Sequence, residues 1–505
     1  MPTVETTTRL GRVEGEQVGG IATFRGIPYA APASGAARFA PPRPPERWPG
    51  VRPCLSSGPI APQNPSALER MLGADEDGGG EDCLSLNVFT PGCDDGGRAV
   101  MVWIHGGGFL TGSGSIPWYD GTRLAERGVV VVTINYRLGV LGFLHLEGIA
   151  EGFEGSGNAG ILDQVAALEW VRDNVAAFGG DPDRVTIFGE SAGAMSVATL
   201  LAVPAARGLF QRAILESGAG AHVHEPDAAT AIAQKFLAEV GVAPGEATRL
   251  RSLPVPDLLA AQRRLAESTP FDQGLPLQPV VDGRVVPERP TRAIRAGIAA
   301  GVDLLIGTTA EEMNLFLVMD PTIADLDETA LSARADARFV PTGREPGEAL
   351  AVYRTDRPDA PVRDVLCALL TDHTFRIPAI RLAEAQLAHH PDVWMYRFTY
   401  ATPAFGGALG SCHALEIPFV WDNLDAQGAA MFVGDPDDAI RDLAQHMADA
   451  WVAFAVHGVP SSSGMAEWPR YDTDGRATMR LDTSVTEVDD DPGRHERELW
   501  QGLDH

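Results

Sequence analysis

Two stretches of the chain are almost unbroken in apolar side chains: Ala99-Val-Met-Val-Trp-Ile-His105 and Val129-Val-Val-Val-Thr-Ile-Asn135. A strand with one face in water alternates apolar and polar residues. An unalternating run is expected of a strand covered on both faces. Between and after these runs the period changes. From Asn158 to Phe178, apolar residues recur at Ile161, Leu162, Val165, Leu168 and Val171, a spacing near 3.6 that predicts a helix closed by Gly179-Gly180. Further strands are predicted at 184–188, 213–217, 301–307 and 392–398, and a helix of small residues at 196–201. Strands alternating with helices predict a central, mostly parallel mixed sheet with helices on both faces. The stretches at about 221–300 and 318–392 are Ala-rich and helical in pattern, and are expected as excursions that cap the sheet. The Gly/Pro-rich stretches Ala31 to Pro53 and Asp75 to Gly80 read as loops. No internal repeat or linker divides the chain, so residues 1–505 are expected to form one domain.

Charge narrows the partners. The formal net charge is -28, which argues against nucleic acid and anionic membrane surfaces, since both demand basic patches. Lys235 is the one lysine, so nearly every cation is arginine; coding bias or salt adaptation would each produce this. The start, Met1-Pro2-Thr3-Val4-Glu5-Thr6, has neither a basic nor an apolar region, so no secretory signal is read there. No run is long and apolar enough to span a membrane. The cysteines are Cys54, Cys83, Cys93, Cys367 and Cys412, an odd number without a CxxC pair. That pattern predicts neither a disulfide framework nor a zinc site. A cytoplasmic protein without metal or cofactor is the expectation.

Candidate chemistry lies at two glycine-rich turns. Gly189-Glu190-Ser191-Ala192-Gly193 sits between a predicted strand and a predicted helix, where the pattern G-x-S-x-G makes a turn so tight that only small residues fit beside the serine. Such a turn lifts the hydroxyl off the sheet at a helix N-terminus. A plain helix-capping serine is the alternative. His105-Gly106-Gly107-Gly108-Phe109 also follows a predicted strand. Acyl transfer builds charge on a carbonyl oxygen, and backbone N–H groups fixed beforehand stabilise it. The donors would be Gly107, Gly108 and Ala192, with His105 orienting the loop.

Taken together, these segments resemble the type-B carboxylesterase and cholinesterase family of α/β-hydrolases. The resemblance extends through Phe24-Arg-Gly-Ile-Pro-Tyr29, Glu81-Asp-Cys-Leu-Ser-Leu-Asn87, Asn135-Tyr-Arg-Leu-Gly-Val-Leu-Gly-Phe143, Gly157-Asn-Ala-Gly160 and Phe178-Gly-Gly-Asp-Pro182. It covers most of residues 20 to 425, with a weaker match at Trp468-Pro-Arg-Tyr471. It implies an α/β-hydrolase fold with Ser191 as nucleophile. The acid it implies is Glu312 rather than Glu311, in Ile306-Gly-Thr-Thr-Ala-Glu-Glu312, although Met313 stands where the family usually has glycine. The base it implies is His413, in Cys412-His413-Ala-Leu-Glu-Ile-Pro-Phe419. Glu190 and Ser217 match positions beside the triad, and Arg38–Glu81 and Arg137–Asp163 match scaffold ion pairs. The cysteine that pairs with the Cys83 position in the family is replaced by Ala61, leaving Cys54 as the nearby substitute. Cholinesterases also carry a tryptophan that binds quaternary ammonium by cation–π attraction. Here Leu72-Gly73-Ala74 stands in its place.

The resemblance therefore implies a serine carboxylesterase acting on small-molecule esters through an acyl-enzyme. Neutral short- to medium-chain alkyl or aryl esters are expected, in a gorge lined by Phe109, Phe316 and Phe419. A carbamate or amide hydrolase using the same triad is the alternative, and a non-catalytic binding member is a second. Oligomeric state, monomer or dimer, is not readable from the sequence.

Overall fold

The computed structural model describes residues 2 to 503, leaving out 72, 74–78, 269–273 and 485. Leu72, Ala74 and most of the loop expected from Asp75 onward therefore lie outside the described residues. So does a short part of the first helical excursion. Among the described residues, thirteen strands form one sheet. They are β1 (Thr3–Thr7), β2 (Arg12–Val18), β3 (Ile21–Pro28), β4 (Val51–Pro53), β5 (Ser85–Thr90), β6 (Arg98–Ile104) and β7 (Val130–Ile134). Then come β8 (Gly180–Glu190), β9 (Arg212–Glu216), β10 (Asp303–Thr309), β11 (Val393–Phe398), β12 (Ala477–Leu481) and β13 (Glu487–Asp490). Their order is β1-β2-β3-β5-β7-β6-β8-β9-β10-β11-β12-β13, with β4 against β2. The sheet is parallel from β7 through β12 and antiparallel at both ends, apart from the short parallel pair of β4 with β2.

The apolar runs behave as their pattern predicts. Along β6, Val100, Val102 and Ile104 enter one core while Met101 and Trp103 enter the other. In β8 and β9 the same split separates Ile187 from Phe188 and Leu215 from Ile214. A strand that feeds two cores has no polar face, so its sequence does not alternate. The fold is that of an α/β-hydrolase. The predicted strand at 184–188 extends to Gly180–Glu190, and the predicted helix at 158–178 is α-helical over Ala159–Asn174, tightening into a 3₁₀ turn before Gly179.

The excursions are largely helical. Pro226–Glu239 and Val255–Glu267 lie in the first, and Glu328–Phe339, Glu348–Thr355, Val362–Thr371 and Ile377–Leu387 in the second. The sheet's two antiparallel ends were not anticipated. Thr3–Thr7 and Arg12–Val18 are short, polar and half-exposed, so hydrophobic pattern does not mark them. Val51–Pro53, at the end of a stretch read as loop, pairs with β2 because its backbone lies alongside Arg12–Glu14. No helix among the described residues is long and apolar enough to cross a membrane.

Two ion pairs brace the loops beneath the site. Arg38 binds Glu81 through two hydrogen bonds of 2.7 Å and donates also to the Leu250 and Leu253 carbonyls. Arg137 binds Asp163 at 2.7 Å, both buried. All five cysteines are free thiols, so Cys54 does not bridge to Cys83.

Candidate active site

In a sheet of this kind the ligand crevice lies beyond the carboxyl ends of the strands, where strand order reverses. Here β6 lies between β7 and β8. The chain leaves β6 into His105-Gly106-Gly107-Gly108, β8 into Ser191, and β10 into Glu312.

Ser191 links the end of β8 to the helix Ala192–Ala202 with φ 55 and ψ -125. A residue with a side chain adopts that conformation only when its surroundings impose it. The Ser191 N–H donates to the Glu216 carbonyl at 2.9 Å, and the Ser191 carbonyl accepts from Met195 N–H at 2.9 Å. A Cβ on Gly189 would lie 2.5 Å from the Ile104 carbonyl oxygen, and one on Gly193 would run into the same carbonyl. Both flanking glycines are therefore required by the approach of β6. The hydroxyl makes no capping hydrogen bond, which removes the helix-cap reading.

Gly107 and Gly108 have φ 99 and 61, in the left-handed region that glycine enters freely. The Gly107 carbonyl accepts from Leu110 and Thr111 N–H, each at 3.0 Å, which curls the loop and turns its amides outward. Among the described residues, the N–H groups of Gly107, Gly108 and Ala192 donate to no protein acceptor. His105 is buried beneath them, with Nδ1 2.9 Å from the Gly106 carbonyl and its ring stacked on Tyr136 at 4.5 Å. Burial lowers its pKa to about 4, so it is a neutral strut at neutral pH.

Glu312 and His413 meet at the other side of Ser191. His413 Nδ1 lies 2.7 Å from Glu312 Oε2, and Thr309 N–H donates to Glu312 Oε1 at 2.8 Å. Both residues are buried. Glu311 serves another purpose. Its N–H and its Oε2 each bond the backbone of Ser411 at 2.9 Å, tying the two loops together. Met313 takes an ordinary right-handed conformation, φ -74, so no glycine is needed there. Nε2 of His413 lies 3.1 Å from Glu190 Oε1. Among the described residues no hydrogen bond yet joins it to the Ser191 hydroxyl, a contact that catalytic sites without substrate often tighten only on binding.

Buried carboxyl groups surround the base. Burial, then the charges of Glu312, Glu216 and Glu69, hold the Glu190 carboxyl well above its ordinary pKa, which favours its neutral form beside His413. Glu416 is raised likewise, by burial first, and accepts from Ser217 Oγ at 3.1 Å. Glu216 is pushed up to about 8 by burial and accepts from Trp451 Nε1 at 2.8 Å. Glu416 and Glu216 were missed from sequence, yet each carried a signal. Glu416 falls inside the His-Ala-x-Glu motif, and Glu216 is a charge inside an apolar strand.

Above Ser191 opens a cavity of about 790 Å³ bounded by Gly106 to Gly108, Glu190 and His413. Its upper wall includes Glu69, Leu275, Phe316, Phe375, Trp500 and Leu503. Of the three phenylalanines expected there, only Phe316 lines it. Phe109 and Phe419 are fully buried instead, Phe109 against Phe143 and Phe419 between Phe398 and Tyr400.

The fold and the chemistry at the ends of its strands define a serine hydrolase of the α/β-hydrolase class. The chain belongs to the carboxylesterase family, whose model matches residues 1–500. It is 42% identical over 497 residues to a para-nitrobenzyl esterase of Bacillus subtilis, covering 97% of each chain. It is 36% identical to a phenmedipham hydrolase of Pseudarthrobacter oxydans, covering 96% of this chain and 97% of the other. A carboxylesterase crystal structure from Geobacillus stearothermophilus superposes with a TM-score of 0.89 at 43% identity, covering 98% of this chain and 100% of that one. This protein is thus a carboxylic ester hydrolase acting on small molecules.

Proposed function

We propose that Ser191, His413 and Glu312 are the nucleophile, base and acid of this esterase, with Gly107, Gly108 and Ala192 as the oxyanion donors. The observation that carries the reading is the 2.7 Å contact between His413 Nδ1 and Glu312 in the cavity over which Ser191 is held at positive φ. Glu312 fixes the imidazole tautomer so that Nε2 carries the lone pair that takes the serine proton. Ser191 Oγ then attacks the ester carbonyl, and the three N–H groups hold the oxyanion. The alcohol leaves with the proton from His413, and water repeats the sequence on the acyl-enzyme. Glu190 and Ser217, the latter through Glu416, position the base. Substitution of Ser191 by Ala should lower kcat on a p-nitrophenyl ester by about a thousandfold or more while leaving the fold intact. Unchanged turnover would sink the assignment, and loss of fluorophosphonate labelling would support it.

The preferred substrates are neutral short- to medium-chain alkyl or aryl esters, because the wall is mostly apolar and aromatic. The same triad attacks carbamates and amides, and kcat/KM on a matched ester and carbamate ranks the two. The chain acts as one catalytic unit, since its reacting groups come from both sides of the first excursion. Five free thiols fit a reducing, cytoplasmic setting.

A further inference from the structure

Two flanks of the gorge meet at Ser191. One carries His413, with the rings of Phe316 and Phe375 against it at 5.3 and 4.8 Å, and the departing alcohol takes its proton there. The other is formed by residues 221–222 and 274–278. It borders the oxyanion loop and the serine turn. Leu275 is the side chain nearest a Cβ built on Gly108, and a Cβ on Gly218, shortly before His222, would lie 2.5 Å from the Ser191 carbonyl oxygen. This second flank therefore faces the acyl group. Its backbone is held firmly. His224 N–H donates to the Pro279 carbonyl at 2.8 Å and Val281 N–H to the His224 carbonyl at 2.9 Å, while the Asn158 side chain bonds both the N–H and the carbonyl of Val280.

Two side chains of this flank, His222 and Gln278, are polar, and their hydrogen bonds fix what they offer. His224 Nε2 lies 3.4 Å from the Pro276 carbonyl, and a carbonyl only accepts, so the ring proton is on Nε2. Burial disfavours the charged ring, which makes His224 Nδ1 an acceptor. The Gln278 atom 3.0 Å from that Nδ1 is then the amide nitrogen, which fixes Oε1 as the atom left over. Gln278 lines the gorge and is 8% exposed, and its Oε1 meets no donor among the described residues. His222 repeats the pattern. Burial pulls its pKa down to about 4, its ring donates to the Ala219 carbonyl, and its Nδ1 has no partner among the described residues, so Nδ1 holds an unused lone pair. Both unpaired atoms are acceptors. An apolar acyl chain filling this flank would leave them unpaired and cut off from water, whereas a donor on the chain would satisfy them.

We infer that the acyl flank is a hydrogen-bond-acceptor subsite, in which Gln278 Oε1 and His222 Nδ1 take a hydroxyl donor on the acyl chain, so that hydroxyacyl esters are the favoured class. A few fixed polar atoms in a mostly apolar wall are what make a small-molecule pocket selective. This subsite refines the acyl half of the proposed substrate and rests on Ser191 being the nucleophile. Gln278 and His222 act on specificity and do not touch the reacting atoms.

The test pairs racemic ethyl 3-hydroxybutyrate with ethyl butyrate, and ethyl 6-hydroxyhexanoate with ethyl hexanoate, each followed by pH-stat titration. In the wild type kcat/KM should favour the hydroxy ester by about tenfold in at least one pair. Gln278→Met, which keeps length and removes the acceptor, should lower kcat/KM on that hydroxy ester and raise it on its partner, bringing the ratio to about one. His222→Phe should shrink the ratio by about threefold. A merely structural role would lower both esters alike. Wild-type ratios near one in both pairs, parallel losses on both esters in Gln278→Met, or a full ratio kept in both variants would each overturn the proposal. Undiminished hydrolysis of ethyl butyrate by Ser191→Ala would instead overturn the nucleophile assignment, so the two failures are told apart.

Discussion

The floor of the gorge and its wall are built on different principles. The floor consists of two short turns, 105–109 and 189–193, and each is dictated by its own backbone. Gly107 and Gly108 need positive φ, Ser191 is locked at φ 55, and Gly189 and Gly193 have no room for a Cβ beside Ile104. The wall has no such rule. Glu69, Leu275, Phe316, Phe375 and Leu503 come from across the length of the chain and meet only because the helical excursions fold over the sheet. The floor is therefore intolerant and the wall adjustable, so chemistry and substrate choice are free to vary separately.

The sharpest way to break this contrast is at the rim of the floor. Glu312→Gln keeps size and one acceptor but lets the His413 imidazole turn to the wrong tautomer. We expect kcat to fall by about 10⁴-fold with KM nearly unchanged and Tm within about 1 °C of wild type. A large KM change with a modest kcat change would mean that Glu312 shapes binding, and the division between floor and wall would fail there.

The wall should answer in the opposite way. Leu275 is the nearest side chain to the position a Cβ would occupy on Gly108, at 3.5 Å. Leu275→Ala should change the ratio of kcat/KM for a bulky acyl ester over an acetate by about tenfold, through steric fit, and leave acetate turnover close to wild type. Equal loss on every ester would show that Leu275 supports the oxyanion loop and belongs to the floor.

The same division governs what the sequence discloses. Strands β6 to β11 are legible because burial on both faces removes alternation, and the turns at 107 and 191 because steric necessity leaves glycine in place. Glu312 and His413 are beyond local pattern, since 101 residues separate two groups that hydrogen-bond, and only the resemblance of whole motifs points to them. Phe109 and Phe419 mislead because an aromatic near a motif fills a core as readily as a gorge, and the chain pattern is the same in both cases. Glu69, Leu275 and Trp500 carry no mark at all: each is an ordinary residue placed by distant packing. The antiparallel ends of the sheet are silent for a further reason, that half-exposed polar strands look like loops.

Glu69 offers the smallest and most discriminating test of the wall. It is 5% exposed, and its Oε1 accepts from Thr111 Oγ at 2.9 Å while, among the described residues, Oε2 has no partner. Burial pushes its pKa up to about 7, against the smaller opposing effect of the Thr111 hydrogen bond. Tyr119 and Tyr136 face it as neutral phenols held above their ordinary range, burial first and the Glu69 charge next. Glu190 shares the field and is itself raised well above its ordinary range, by burial first. A carboxyl whose folded pKa exceeds its unfolded value binds more protons in the native state. Its contribution to stability is complete below the unfolded pKa of about 4.3 and is lost as pH rises through 7. Tm should therefore decline between pH 5 and 8. Glu69→Gln, which keeps the neutral form at every pH, should shrink that decline by about 2 °C. The part that persists belongs to the other buried carboxyls of the same interior, Glu216, raised to about 8, and Glu190 and Glu416, also raised by burial. Identical pH slopes in the wild type and the variant would mean that water reaches Glu69 and that the wall is open on this side, whereas the floor would remain closed.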